Sequence, residues 1–179
     1  FPYTTLFRSW ERAVLEECCL HPGAGCTVVG HGTYERVSPP GMRVPRFLCE
    51  TRGGTISLLP SFLACRVTGT LDAIEEAAAV AEEARTRDEA VDELRPADAE
   101  DAVTLPAALR WLLRRVAWVK GAFMTLSTLL PALHGTAPTV AAMRVRLGTT
   151  SVLRALRAMA IEHVQALPAP VGLAPRGRR

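Results

Sequence analysis

The stretch Cys18–Pro60, CCLHPGAGCTVVGHGTYERVSPPGMRVPRFLCETRGGTISLLP, decides how the fold begins. Turn-forming runs cut it at His21 to Gly25, Gly30 to Gly32, Ser38 to Gly41 and Arg52 to Gly54. Between them lie short β-prone runs: Thr27 to Val29, Thr33 to Val37, Val44 to Cys49 and Thr55 to Leu59. In Ser38-Pro-Pro-Gly41, proline fixes φ and Gly41 is free to take a positive φ, which is a hairpin signal. This spacing predicts a small antiparallel sheet. A sheet of that size does not bury a core of its own and needs a metal or a covering helix.

Working outward, the pattern changes to helical at Thr70. Thr70-Leu-Asp-Ala-Ile-Glu-Glu offers an N-cap followed by acidic residues, which favour a helix start. Leu71, Ile74, Ala77, Ala78 and Ala81 then recur at helical spacing. A second, short helix is predicted over Arg87 to Arg95, stopping before Pro96, with an exposed acidic loop from Pro96 to Val103. Thr104-Leu-Pro opens a third helix, Thr104 to Lys120, with proline in its first turn. Leu105, Leu109, Leu112, Val116 and Val119 form its apolar stripe, and Arg110, Arg114 and Arg115 lie off it. Two more helices are predicted, Pro138 to Leu147 and Thr149 to Leu167, separated by Gly148 and ended by Pro168.

The expected class is therefore α+β: a small antiparallel β segment followed by an α-helical domain. Residues 10–66 would hold the β segment, 67–167 the helices and 168–179 a flexible basic tail. Residues Phe1 to Ser9, FPYTTLFRS, match the in-frame translation of a common sequencing-library adapter. The natural sequence is expected to begin at or near Trp10, and the first nine residues say nothing about the fold.

Composition narrows the class. The 179 residues suit one domain or two small ones, and 49% hydrophobic against 22% charged excludes compositional disorder. The net charge of +3 hides a sharp division. Residues 71–101 hold 12 acidic and 3 basic side chains, whereas residues 102–179 hold 11 basic and 1 acidic. Of the 21 basic residues, Lys120 is the single lysine, which points to a GC-rich coding sequence rather than to a function. Gly121 to Leu133 is the longest weakly charged stretch, too short to span a bilayer, and a buried helix is expected there.

Five cysteines, odd in number and clustered early, suit a metal site or reduced thiols in a cytoplasmic protein better than a secreted disulfide framework. Cys18 and His21 form a C-x2-H knuckle, the spacing that lets two ligands face one tetrahedral ion. Cys26 and Cys49 complete a Cys3His set of the kind that holds structural zinc, which would fold the sheet and leave no position open for catalysis. Cys19 and His31 are alternative ligands. Arg52 stands where a second knuckle would repeat cysteine. The competing reading makes the cysteines small buried hydrophobes and His21 a turn residue. Cys65 lies beyond the sheet and is expected in a core.

These pieces resemble the zinc-ribbon segment of bacterial transposase-associated proteins. The matching residues are Cys18 to His21, His31-Gly-Thr-Tyr34, Arg43 to Cys49 and Ser57 to Pro60. The later runs LRWLLRRV and RVRLG are similar to the helical part of such proteins, so the resemblance covers most of the chain after Cys18. It implies a zinc ribbon followed by a helix-turn-helix, both serving DNA recognition. The predicted helices Arg87 to Arg95 and Thr104 to Lys120 would form that pair, although their connection is longer than the usual three to four residues.

The expected function is non-catalytic DNA binding, with zinc stiffening the ribbon and Arg110, Arg114, Arg115, Arg144 and Arg146 contacting DNA. Each arginine near a phosphate gains from counterion release. DNA is the expected partner, with no membrane and no small-molecule substrate, and with the oligomeric state open. Trp111 and Trp118, seven apart, are expected to pack rather than stack on bases. An enzyme reading lacks support: three convergent carboxylates, a P-loop, GxSxG and an oriented Cys-His pair are all missing from the sequence. The alternative is a helical interaction or scaffold protein whose acidic and basic segments pair with each other.

Overall fold

The computed structural model describes residues 27–51, 53–94, 104–164 and 166–173. The chain divides into two compact units between Pro60 and Ser61. The fold is α+β, a small antiparallel sheet followed by five helices.

The first unit holds β1 (Val28–Glu35), β2 (Arg43–Cys49) and β3 (Gly54–Ser57) in the order β1-β2-β3. The runs Thr27 to Val29 and Thr33 to Val37 join into one strand. The register shifts between Gly30 and Thr33, and Gly32 takes φ +75° there, so a bulge rather than a turn absorbs Gly30-His31-Gly32. Glu35 pairs with Arg43, and the Arg36 amide donates to the Met42 carbonyl at 2.8 Å. Gly41, at φ +75°, closes that hairpin as its sequence requires. Val28, Val44, Phe47 and Cys49 are buried.

The second unit begins with a loop that folds onto the helices. The Leu71 amide donates to the Phe62 carbonyl at 2.8 Å and the Ala64 amide to the Gly69 carbonyl at 3.1 Å. Helix α1 (Leu71–Glu83) starts at Thr70, whose hydroxyl accepts from the Ala73 amide at 3.1 Å. A short α2 (Arg87–Leu94) follows, then the 25-residue α3 (Leu105–Leu129). Helix α4 (Val140–Leu147) and α5 (Val152–Met159) complete the set.

Helix α3 runs nine residues past the Lys120 end expected for it. Gly121 costs about 1 kcal/mol in a helix interior. Burial of Ala122, Phe123 and Leu126 on the same stripe outweighs that, since each large side chain contributes about 2 kcal/mol. Helix α5 ends at Met159 instead of Leu167. A longer helix would carry Leu167 about 12 Å onward. The chain instead makes a 3-10 turn at Ile161–His163 and returns Leu167 and Val171 to the core.

That core gathers Leu71, Ile74 and Ala78 of α1, Phe123 and Leu126 of α3, Val140 and Met143 of α4, and Leu153 and Leu156 of α5. A smaller cluster of Ala77, Val80, Ala90, Val91 and Leu112 ties α2 to α1 and α3.

Candidate nucleic-acid interface

Three of the four expected zinc ligands, Cys18, His21 and Cys26, lie outside the described residues. Cys49 is fully buried on β2, and His31 is exposed at the β1 bulge. Among the described residues no group of three His, Cys, Asp or Glu side chains converges on a metal position.

The acidic residues of α1 fall at 72, 75, 76, 82 and 83, and the first four have defined tasks. Glu82 accepts from the Val140 amide at 2.9 Å and from the Ala141 amide at 3.4 Å, at the start of α4. Glu75, only 1% exposed, accepts from the Leu153 amide at 2.9 Å, at the start of α5. Two carboxylates seven residues apart on one helix thus satisfy the leading amides of two other helices and oppose their positive ends. In α5 this replaces the usual cap, because the Ser151 side chain makes no capping bond.

The same carboxylates take up part of the basic block. Arg144 reaches Glu75 at 3.3 Å and Glu76 at 3.4 Å, and Arg154 reaches Asp72 at 3.4 Å. Arg144 is therefore a strut between α4 and α1 more than an open DNA contact. Arg146 donates its Nε to the Ala132 carbonyl at 2.7 Å while remaining exposed.

Helix α3 is arranged differently. Arg110, Leu113, Arg114, Ala117, Lys120 and Met124 recur at spacings of three and four, and all are exposed. The Arg114 Nε donates to the Arg110 carbonyl at 3.1 Å, which steadies its guanidinium on the helix surface. Among the described residues no carboxylate lies within ion-pair distance of Arg110, Arg114 or Arg115. Arg115 stacks over the Trp111 ring at 3.7 Å from its centroid. Its Nε is buried without a hydrogen-bond partner among the described residues. Burial, and next the Arg114 charge, lower Arg115 to about 10. Trp118 packs against the main core, as expected of it.

Arg157 belongs to the basic block by sequence but not to the surface. It is 6% exposed, and all five of its N–H donors are used. They reach the carbonyls of Ser61, Leu63, Pro170 and Val171 at 2.7–2.9 Å and the Cys65 sulfur at 3.4 Å. Burial pulls its guanidinium below the ordinary arginine range, with Cys65 opposing that shift. The signal was its position: 153, 156, 157 and 160 fall on one buried stripe. Glu75 carries the same signal, beside Leu71, Ile74 and Ala78.

Comparison with known proteins returns no matching family model, no matching curated protein and no matching solved structure. No helix among the described residues is long and apolar enough to cross a membrane.

Proposed function

We propose that the chain is a non-catalytic DNA-binding protein, related to transposon recognition modules, that uses the exposed cationic face of α3. One observation carries this reading. Asp72, Glu75, Glu76 and Glu82 of α1 are engaged with α4 and α5, whereas Arg110 and Arg114 have no carboxylate partner among the described residues. A cationic helix face left open beside a neutralised one fits a polyanion. Arg146 adds a further exposed cation. Zinc on Cys18, His21, Cys26 and Cys49 would stiffen the strand unit.

A second reading draws on a different observation. The Arg144 and Arg154 ion pairs favour a scaffold protein whose acidic and basic segments serve each other.

Fluorescence anisotropy with a labelled random-sequence duplex separates the two. Binding is expected at about 50 mM salt and to weaken steeply as salt rises. Arg110→Ala with Arg114→Ala is expected to reduce the salt slope by about two. Absence of binding at low salt would overturn the DNA reading and leave the scaffold reading.

A further inference from the structure

Helices α4 and α5 are each eight residues long and are joined by four residues, Gly148 to Ser151. Gly148 ends α4 in the left-handed conformation, at φ 61° and ψ 34°. The Ser151 amide then donates to the Thr149 hydroxyl at 3.2 Å, which sets the turn. A three- to four-residue turn containing glycine is the connection found in a helix-turn-helix. The pair expected from sequence, α2 and α3, is joined instead by residues 95–104.

Helix α1 brackets the α4–α5 unit. Glu82 holds the start of α4, Glu75 holds the start of α5, and Arg144 ties α4 back to Glu75. Val140, Met143, Leu153 and Leu156 share one core with Leu71 and Ile74. The unit is thus fixed from both its polar ends and its apolar face.

Its outward face has a definite chemistry. On α5, Ser151, Arg154, Ala155 and Ala158 recur at spacings of three and four; Arg154 and Ala158 are exposed, and Ser151 and Ala155 half-buried. Thr150, just ahead of the helix, is exposed. Apart from Arg154 these side chains are small, so the backbone can approach a ligand closely. Residues 140–160 contain no Asp or Glu that would repel a phosphate.

We infer that α4, its turn and α5 form a helix-turn-helix that presents α5 to the major groove of duplex DNA, with Thr150 and Arg154 reading base edges. Residues at the start of the second helix make such contacts. Arginine gives a bidentate contact to guanine, threonine suits either base partner, and an alanine methyl packs on the thymine methyl. The inference rests on the DNA-binding reading and adds to it. Phosphate contacts by α3 position a duplex but carry no sequence information, so selectivity needs a second element. Asp72, 3.4 Å from Arg154, holds that guanidinium beside the helix start and gives it up on binding.

The test uses the full chain. A pool of randomised duplexes is put through rounds of selection, and the enriched duplex is compared with its scrambled version by anisotropy. The parent is expected to prefer the enriched duplex by at least about tenfold. Thr150→Ala with Arg154→Ala is expected to erase the preference and change scrambled-duplex affinity little. Arg154→Lys, which keeps the charge, is expected to lose most of the preference with an unchanged melting midpoint. Arg110→Ala with Arg114→Ala is expected to weaken both duplexes alike. If the chain binds duplex but no sequence is enriched, the inference falls and the DNA reading stands. A preference that survives both Arg154 variants also overturns it. If the chain binds no duplex at all, the underlying reading falls and the inference with it.

Discussion

Glu75 secures the start of α5 from a buried position on α1, and Glu75→Ala tests that directly. The substitution removes the acceptor of the buried Leu153 amide, which costs about 1–3 kcal/mol when left unpaired. It also removes a packed methylene, about 0.8 kcal/mol. Arg144 is not stranded, because Glu76 remains 3.4 Å from its guanidinium. The total is about 3 kcal/mol, and for a unit of this size that lowers the thermal midpoint by about 10 °C. Glu75→Gln keeps an oxygen for the Leu153 amide and loses only the charge facing Arg144, so about 1 kcal/mol is expected. Glu76→Ala, at a mostly exposed ion pair, is expected to cost less than about 0.5 kcal/mol. Thermal unfolding followed by far-UV circular dichroism ranks the three. If Glu75→Ala melts together with Glu76→Ala, the carboxylate does not secure the start of α5, and the bracketing role of α1 is wrong.

Arg157→Lys replaces five fixed donors by three and so loses at least two hydrogen bonds from a charged group, each about 1.5–3 kcal/mol, so a loss of about 3 kcal/mol is expected in the same melt; a loss below about 1 kcal/mol would contradict the cage. For Arg115 the sign is fixed by its lowered proton affinity. Lowered to about 10, the folded state loses the proton before the unfolded chain does, so the cost of burying the cation is full below pH about 10 and fades above it. The difference in midpoint between parent and Arg115→Met is expected to shift in the parent's favour as pH rises past about 10, and a shift the other way refutes burial as the cause. Asp72→Asn frees Arg154 and removes a negative charge beside it, so severalfold tighter binding of the enriched duplex is expected by anisotropy; unchanged or weaker binding removes Asp72 as a competitor.

Local rules were enough where a residue acts on its neighbours. Thr70 caps α1, Gly41 closes the first hairpin and Gly148 ends α4 through bonds within a few residues of each. Such contacts are written in the order of the chain. Glu75 and Leu153 are 78 positions apart, and Arg157 and Ser61 are 96 apart, so no local pattern pairs them. What the sequence did display was a charged residue set on an apolar stripe, in both cases. Position on the stripe carries more information there than residue type. The end of α5 went astray for a related reason. Pro168 marked the last place a helix stops, while the need to return Leu167 and Val171 to the core stopped it earlier.

The juxtaposed acidic and basic segments invite a simple account in which one neutralises the other. The geometry of α1 argues for a narrower role. Toward α3, α1 supplies Ala77, Ala78 and Val80 to clusters that also hold Leu112, Val119 and Phe123, so that contact is apolar. Four of its five carboxylates go instead to two helix starts and to Arg144 and Arg154. Neutralising the block as a whole would have placed acids within reach of Arg110 and Arg114 on α3. Arg114 also depresses the proton affinity of Arg115, so crowding cations on that helix carries an electrostatic cost. An anion from outside the chain relieves that repulsion, and on the proposed reading DNA phosphate is that anion. The salt slope of α3 variants therefore bears on the charge division as much as on affinity. If Arg110 and Arg114 leave the slope unchanged, the open cations of α3 are incidental, and the charge pattern is explained by helix bracketing alone.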